Sequence, residues 1–285
     1  MQRTSTTWLV INIASGSYSA EALATLEDGL ARADHTPARV IAIPDDAAPS
    51  PAELDRAGVG LLAIYAGDGT INSVVTGLNG WTGRILVLPG GTQNLMAKAL
   101  HGDATAQDIV TAFAEGKLVS TPWKTVRTSQ GDALCEVLAG PGARWSDVRE
   151  ALREGDVGGV AAKLGEAIGE STGGAAVRVV EPATGKPEGY PAVRVHPVAG
   201  ELTVDGYAAE TLGEYAQQGL ALLRRDFREG PHDELGLCRA VVCRSDEPIE
   251  LMIDGERKTG QVEERFEVAE CPVEFLALNA HRTGS

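Results

Sequence analysis

Residues 64–75 read IYAGDGTINSVV, and the parsing of this stretch decides the rest of the chain. Ahead of it, Gly60-Leu61-Leu62-Ala63-Ile64-Tyr65 has the short, unbroken apolar character of a strand buried on both faces. After it, Ile71, Val74, Val75 and Leu78 recur at i, i+3, i+4 and i+7, one face of a helix. Between the two lie Gly67, Asp68, Gly69 and Thr70, a loop whose functional side chains are one carboxylate and one hydroxyl.

The same strand–loop–helix grammar repeats on either side. WLVINI (8–13) reads as a strand, followed by Ala14-Ser15-Gly16-Ser17 and a helix carrying Leu23, Leu26, Leu30 and Ala33 on one face. RVIAIP (39–44) is a second strand, then a Pro/Asp-rich loop and a short helix over 51–57. RILVLP (84–89) is followed by the loop GGTQN (90–94), a helix from Leu95 to Leu100, and another marked by Ala106, Ile109, Val110 and Phe113. Repeated units of this kind predict a parallel sheet with helices on its faces, an α/β domain. Beyond GKLVSTPWK (116–124) the texture changes to short apolar runs separated by turn residues: ALCEVLAG, AAVRVVEP, AVRVHPV, ELTV, LCRAVVCR, IELMID, RFEVAE and VEFLAL. These predict a β-rich second domain, interrupted by one helix between Ala208 and Arg225, with a Gly-rich loop region over 155–189.

Composition narrows the function. The 285 residues suffice for two domains, and 43% hydrophobic with 23% charged residues is a globular balance. A net charge of -15 argues against nucleic acid, whose phosphates need a basic surface, and against tight adhesion to an anionic membrane. No run of about 18 apolar residues is present, which predicts no transmembrane segment. The start, MQRTSTTWLVINIASG, reads as a first strand rather than a signal peptide, so a soluble, intracellular chain is expected. Cys135, Cys238, Cys243 and Cys271 form no CxxC pair and read as free thiols of a reducing compartment. If LCRAVVCR is one strand, the odd spacing of Cys238 and Cys243 puts them on opposite faces.

Three predicted strands end in small-residue loops that open helices: NIASGS, AGDGT and PGGTQN. In a parallel sheet such loops gather at the carboxyl edge, where ligands bind. Glycine lets backbone N–H groups approach a ligand, and helix N-termini favour anions. Ser15, Thr70, Thr92 and Asn94 add hydroxyl and amide groups, a set suited to a nucleotide phosphate. Asp68 repels phosphate unless a cation intervenes, which suits Mg²⁺. The other reading of Asp68 is a turn residue or N-cap for the helix at Ile71, and the loop alone leaves both open. GESTG (169–173) matches the nucleophile-elbow pattern, but helix precedes and strand follows it, the inverse of the required order. GVGLLA (58–63) stands before a strand instead of after one, no P-loop sequence occurs, and the five histidines lack zinc spacing.

AGDGTIN (66–72) resembles the GGDGT motif of the diacylglycerol kinase catalytic domain, a superfamily that includes sphingosine kinases and NAD kinases. PGGTQNLMAKAL (89–100) resembles that family's P-x-GTxNxxA stretch. NIASGS (12–17) resembles its NPxSG opening, and IELMIDGE (249–256) resembles the late DGE motif of the bacterial lipid kinases. NAD kinases share the first motif but not the last, which favours the lipid-kinase branch. The similarity runs in order from residue 8 to about 278, with little match over 140–235.

The resemblance implies an α/β nucleotide-binding domain over 1–121, rejoined by a C-terminal strand at 273–285, and a β-rich, sandwich-like lipid-substrate domain over 122–272, with ATP and the lipid head in the cleft between. It implies an ATP-dependent lipid kinase acting at the cytoplasmic face of the membrane, with Mg²⁺. Alternatives are a catalytically weak nucleotide-binding or regulatory module, or a kinase of a soluble hydroxyl substrate; a homodimer is an open option. By the resemblance, Asn12, Ser15, Gly16, Gly67, Asp68, Gly69, Thr70, Asn72, Thr92 and Asn94 hold the nucleotide and its metal. Glu256 is the general base toward a diacylglycerol-like hydroxyl, with Asp254 beside it and Asp68 in the catalytic set. Ala66 stands for the first glycine of GGDGT, a mild change if it keeps negative φ. The family's middle DGxLD element appears only as AGELTVDG (199–206), with Asp205, displaced, as the substitute acid for its Mg²⁺ contact. Glu264, in VEERFE, reads as a solvated charge.

Overall fold

The computed structural model describes residues 6–141, 175–208 and 232–278. Two compact units emerge: residues 1–124 with 270–285, and residues 125–269. The helix expected between Ala208 and Arg225 lies, apart from Ala208 itself, outside the described residues, as does the GESTG motif.

In the first unit, β1 (Thr6–Asn12), β2 (Pro37–Ile43), β3 (Val59–Ala66), β4 (Arg84–Pro89), β5 (Val119–Thr121) and β18 (Glu274–Ala277) form one sheet in the order β2-β1-β3-β4-β18-β5. All pairings are parallel except that of β18 with the short β5. β3 is the central strand, buried along nearly its whole length, as its unbroken apolar run requires. Helices α1 (Ala20–Arg32) and α5 (Ala106–Ala114) cover one face through Leu26, Leu30, Ile109 and Val110, packed on Leu9, Ile11, Leu61, Leu86 and Leu276. The chain also forms α2 (Pro51–Arg56), α3 (Asp68–Thr76) and α4 (Leu95–His101). α2 starts on Ser50 and α5 on Thr105, each with a reciprocal capping box.

The second unit is built from antiparallel strands. One sheet contains β6 (Lys124–Thr128), β7 (Gly131–Ala133), β9 (Arg178–Glu181), β10 (Ala183–Thr184), β14 (Ala240–Arg244) and β17 (Glu263–Glu270), in the order β10-β9-β14-β17-β6-β7. The other contains β8 (Val137–Ala139), β11 (Ala192–Val198), β12 (Glu201–Tyr207), β13 (Asp233–Cys238), β15 (Glu250–Ile253) and β16 (Glu256–Thr259), in the order β13-β12-β11-β8-β15-β16. Val126, Val179, Val241 and Phe266 of the first meet Val137, Val195, Val204 and Leu251 of the second in one buried core, the hallmark of a sandwich.

LCRAVVCR is not one strand. β13 ends at Cys238, β14 begins at Ala240, and the two belong to different sheets. Cys238 and Cys243 therefore both face the common core, contrary to the opposite faces expected of a continuous strand. Burial pushes the Cys243 thiol up to about 12, which keeps it protonated and unreactive.

Candidate active site

β1, β3 and β4 run parallel, so the loops after them share one edge of the first unit's sheet. α3 starts at Asp68, three residues before the expected Ile71, with Gly67 as an extended N-cap and no side-chain cap. Asp68, Gly69 and Thr70 are thus the first helical turn rather than loop. An uncapped first turn directs amide N–H groups and the positive end of the dipole outward, which favours an anion. Asn72 lies half-buried in the same helix.

The Asp68 carboxylate accepts the first two amides of α4, from Leu95 (3.0 Å) and Met96 (2.9 Å). It caps a helix, but one 27 residues away rather than the one it begins. Asn94, at φ 53°, closes the same loop on itself: its Oδ1 accepts from the Gly91 amide (2.7 Å) and its Nδ2 donates to the Gly91 carbonyl (3.0 Å). Asparagine is one of the few side chains at ease in that left-handed conformation. Gly90 and Gly91 are required by close approach. A Cβ on Gly91 would sit 2.5 Å from the Gly67 Cα, and one on Gly90 would sit 2.6 Å from the Ala66 nitrogen. Ala66 itself lies buried within β3, at negative φ.

The first loop is tied to both others. Asn12 Nδ2 donates to Thr70 Oγ1 (2.9 Å), and its Oδ1 accepts from the Ala14 amide (3.0 Å). The hydroxyls of Ser15 and Ser17 both donate to the Gly90 carbonyl. Gly16 and Thr92 are exposed at the rim. Asn12, Ser15, Gly67, Asp68, Thr70 and Asn94 are therefore brought together. Ser17, Tyr65, Gly90 and Gly91 join them without having been singled out; of these, the doubled glycine was the one visible signal.

Asp254, Glu256 and Asp205 belong to the second unit. Asp254 (φ 45°) and Gly255 (φ 91°) make the two-residue turn between β15 and β16, the conformation that Asp-Gly favours in a tight hairpin. The buried Asp254 carboxylate accepts amides from Leu134 (2.6 Å), Cys135 (2.9 Å) and Glu136 (3.0 Å), which fastens the segment leading into β8. Glu256 pairs with Ile253 across the hairpin and is exposed. The two acids of DGE thus differ: one is a buried anchor, the other a solvent-facing carboxylate. Asp205 is buried, with Arg194 at 3.7 Å, His196 at 3.9 Å and His232 at 4.0 Å. Burial raises its pKa while Arg194 opposes the rise. The Arg194 guanidinium thus already supplies positive charge beside the acid expected to contact Mg²⁺. Arg194 also donates to the buried Glu136 (2.9 Å), a cross-strand arrangement that no sequence spacing announces. Among the described residues, no group of three His, Cys, Asp or Glu is arranged to hold a metal by itself.

Glu264 is not a solvated charge. It is 1% exposed and accepts from the Ser129 amide (2.7 Å), the Ser129 hydroxyl (2.8 Å) and the Gln261 amide (2.9 Å), joining two turns.

Residues 6–125 match the model of the diacylglycerol kinase catalytic domain family. Among solved structures, that of a diacylglycerol kinase from Bacillus anthracis str. Sterne is 13% identical with a TM-score of 0.62, covering 96% of this chain and 97% of that one. A second structure from that organism, described as a candidate diacylglycerol kinase, is 14% identical with a TM-score of 0.64 and the same coverage. At such identities the likeness establishes the fold. A comparison with curated protein sequences returns no match.

Proposed function

We propose that this chain, whose residues 6–125 belong to the diacylglycerol kinase catalytic domain family, is an ATP-dependent lipid kinase that transfers the γ-phosphate to a lipid hydroxyl. The observation that carries the reading is the interlocked edge, where three loops and the uncapped start of α3 present amides and hydroxyls toward one place. That donor set suits a polyphosphate: Gly67, Gly69 and the α3 amides by backbone, with Asn12, Ser15, Gly16, Thr70, Asn72, Thr92 and Asn94 around them. Mg²⁺ fits as an ion carried by the nucleotide. Asp68 brings one carboxylate to this edge, matching the habit of Mg²⁺ to take one or two carboxylates plus phosphates. When bound, the ion neutralises charge on the transferring phosphoryl group.

Glu256 is the proposed general base, taking the proton of the lipid hydroxyl as its oxygen attacks. Asp254 acts through the turn it anchors rather than on the substrate. Phosphoryl transfer asks mainly for positioning and charge neutralisation, so one base and one cradle suffice. The acceptor is a diacylglycerol-like lipid at the membrane surface. A second reading, a nucleotide-binding module of weak activity, draws on Ala199, which occupies the β11–β12 turn where the resembled motif has an acid.

The test is phosphate transfer from labelled ATP to a panel of lipid extracts, with and without Mg²⁺. Labelled lipid formed only with Mg²⁺ supports the kinase. ATP binding without transfer to any lipid favours the module, and transfer to a soluble alcohol alone overturns the lipid assignment.

A further inference from the structure

We infer that Tyr65 is a positioning residue that sets nucleotide affinity by holding the first loop against the third; this rests on the nucleotide-binding reading above. Tyr65 stands at the end of β3, immediately before Ala66-Gly67-Asp68. Its ring is buried in the same cluster as Ile11, Leu26 and Leu88. Its hydroxyl leaves that cluster and donates to the Ser17 carbonyl at 3.0 Å. The backbone of Tyr65 and Ala66 is also the surface on which Gly90 lies: a Cβ on Gly90 would meet the Tyr65 carbonyl carbon at 2.8 Å, and the Gly90 amide donates to the Ala66 carbonyl at 3.1 Å. Gly90 in turn receives the hydroxyls of Ser15 and Ser17.

The result is a closed circuit. Tyr65 holds the Ser17 carbonyl from beneath, Ser15 and Ser17 hold Gly90 from above, and Gly90 rests on the Tyr65–Ala66 backbone. One residue thereby joins the first loop through its side chain and the third through its main chain, and it feeds directly into the second. Removing the hydroxyl deletes no group that faces phosphate. It frees the Ser17 carbonyl to turn to water, so the loop must be ordered when nucleotide binds and that entropy is charged to binding. Chemistry, once nucleotide is seated, proceeds on the same groups. The signature is therefore a KM effect with little kcat effect.

The experiment compares the full chain with Tyr65→Phe, which keeps the ring, and with Tyr18→Phe, which removes a neighbouring phenol outside the circuit. Three readouts are taken: amide hydrogen exchange over residues 14–18, Mg–ATP affinity by calorimetry, and steady-state kinetics. Tyr65→Phe is expected to speed exchange of these amides in the absence of nucleotide and to raise Kd and KM for ATP about three- to tenfold, the loss of one hydrogen bond, with kcat within about twofold. Tyr18→Phe should match the parent. Unchanged exchange in Tyr65→Phe overturns the tether, as does a fall in kcat at constant KM. If the parent binds no ATP, the nucleotide reading fails by itself. Exchange then still decides the tether: faster exchange upholds it, and equal exchange removes it.

Discussion

Asp68 holds two amides of α4 and sits in the first turn of α3, so its replacement separates two roles that its sequence position merges. Asparagine keeps one acceptor oxygen but turns an NH₂ toward the second amide and removes the charge from the start of α4. Stability should fall by about 1 kcal/mol, the scale of one hydrogen bond and a dipole contact. If Asp68 also faces the metal-bearing phosphates, turnover should fall by ~10² or more, as for other lost transition-state contacts. Unchanged turnover with reduced thermal stability would leave Asp68 as a cap. For Glu256→Gln, kcat is expected to fall by ~10²–10⁴ with nucleotide affinity within a few-fold, since a positioned base contributes on that scale. The fitting control is Glu247→Gln, at an exposed position. Glu264→Gln cannot serve, because an NH₂ would be pressed against the buried amides of Ser129 and Gln261. Equal losses in Glu256→Gln and Glu247→Gln would sink the base assignment.

Between the loops, backbone approaches backbone, and the element responds as a unit. Gly91→Ala places a methyl 2.5 Å from the Gly67 Cα, a contact with main chain that cannot swing aside. Overpacking of this kind costs about 1–3 kcal/mol, and the shift it forces should abolish ATP binding measured by calorimetry. In the hairpin, Asp254→Asn keeps a residue suited to φ 45° while stripping one acceptor oxygen from three buried amides. A loss of about 1–3 kcal/mol in chemical unfolding follows from one unsatisfied amide. α4 carries a titratable group at its other end: His101 is 4% exposed, its Nε2 bonds the Val87 carbonyl at 3.1 Å, and burial lowers its pKa from 6.5 to about 4. The folded state keeps this ring neutral while the unfolded chain protonates it below 6.5. Stability is therefore lost as pH falls from 6.5 toward 4, by about 3 kcal/mol at most. His101→Leu should remove that part of the acid sensitivity in thermal melts across this range. An unchanged pH slope would mean that other groups set it.

For the whole molecule, a net charge of -15 governs how a membrane-directed kinase would reach its lipid. Each Lys or Arg at an anionic surface contributes only about 1 kcal/mol, and here acidic residues outnumber basic ones, 40 to 25. Among the described residues, no helix is long and apolar enough to cross a bilayer. Co-sedimentation with vesicles should therefore be weak and nearly independent of salt, carried by apolar contact. A steep loss of binding between low and high salt would reveal a basic surface assembled by the fold.

The sequence by itself determined what depends on neighbours along the chain. The βα alternation, the buried run of β3, the strand over 84–89 and the break into antiparallel strands all follow from periodicity, and periodicity is a local property. Tertiary structure alone decided where side chains separated along the chain end up. LCRAVVCR was split between two sheets, so two thiols that alternation sets apart now face one core. Glu264, polar and flanked by charges, was drawn inside because two turns closed over it and supplied three donors. Asp205 was set beside Arg194 by the register of β11 on β12. Asp68 was turned onto α4 because β3 and β4 are adjacent and parallel, which brings loops 27 residues apart into hydrogen-bonding distance. In each case the deciding partner is remote in sequence, and its position exists only once the sheets have closed.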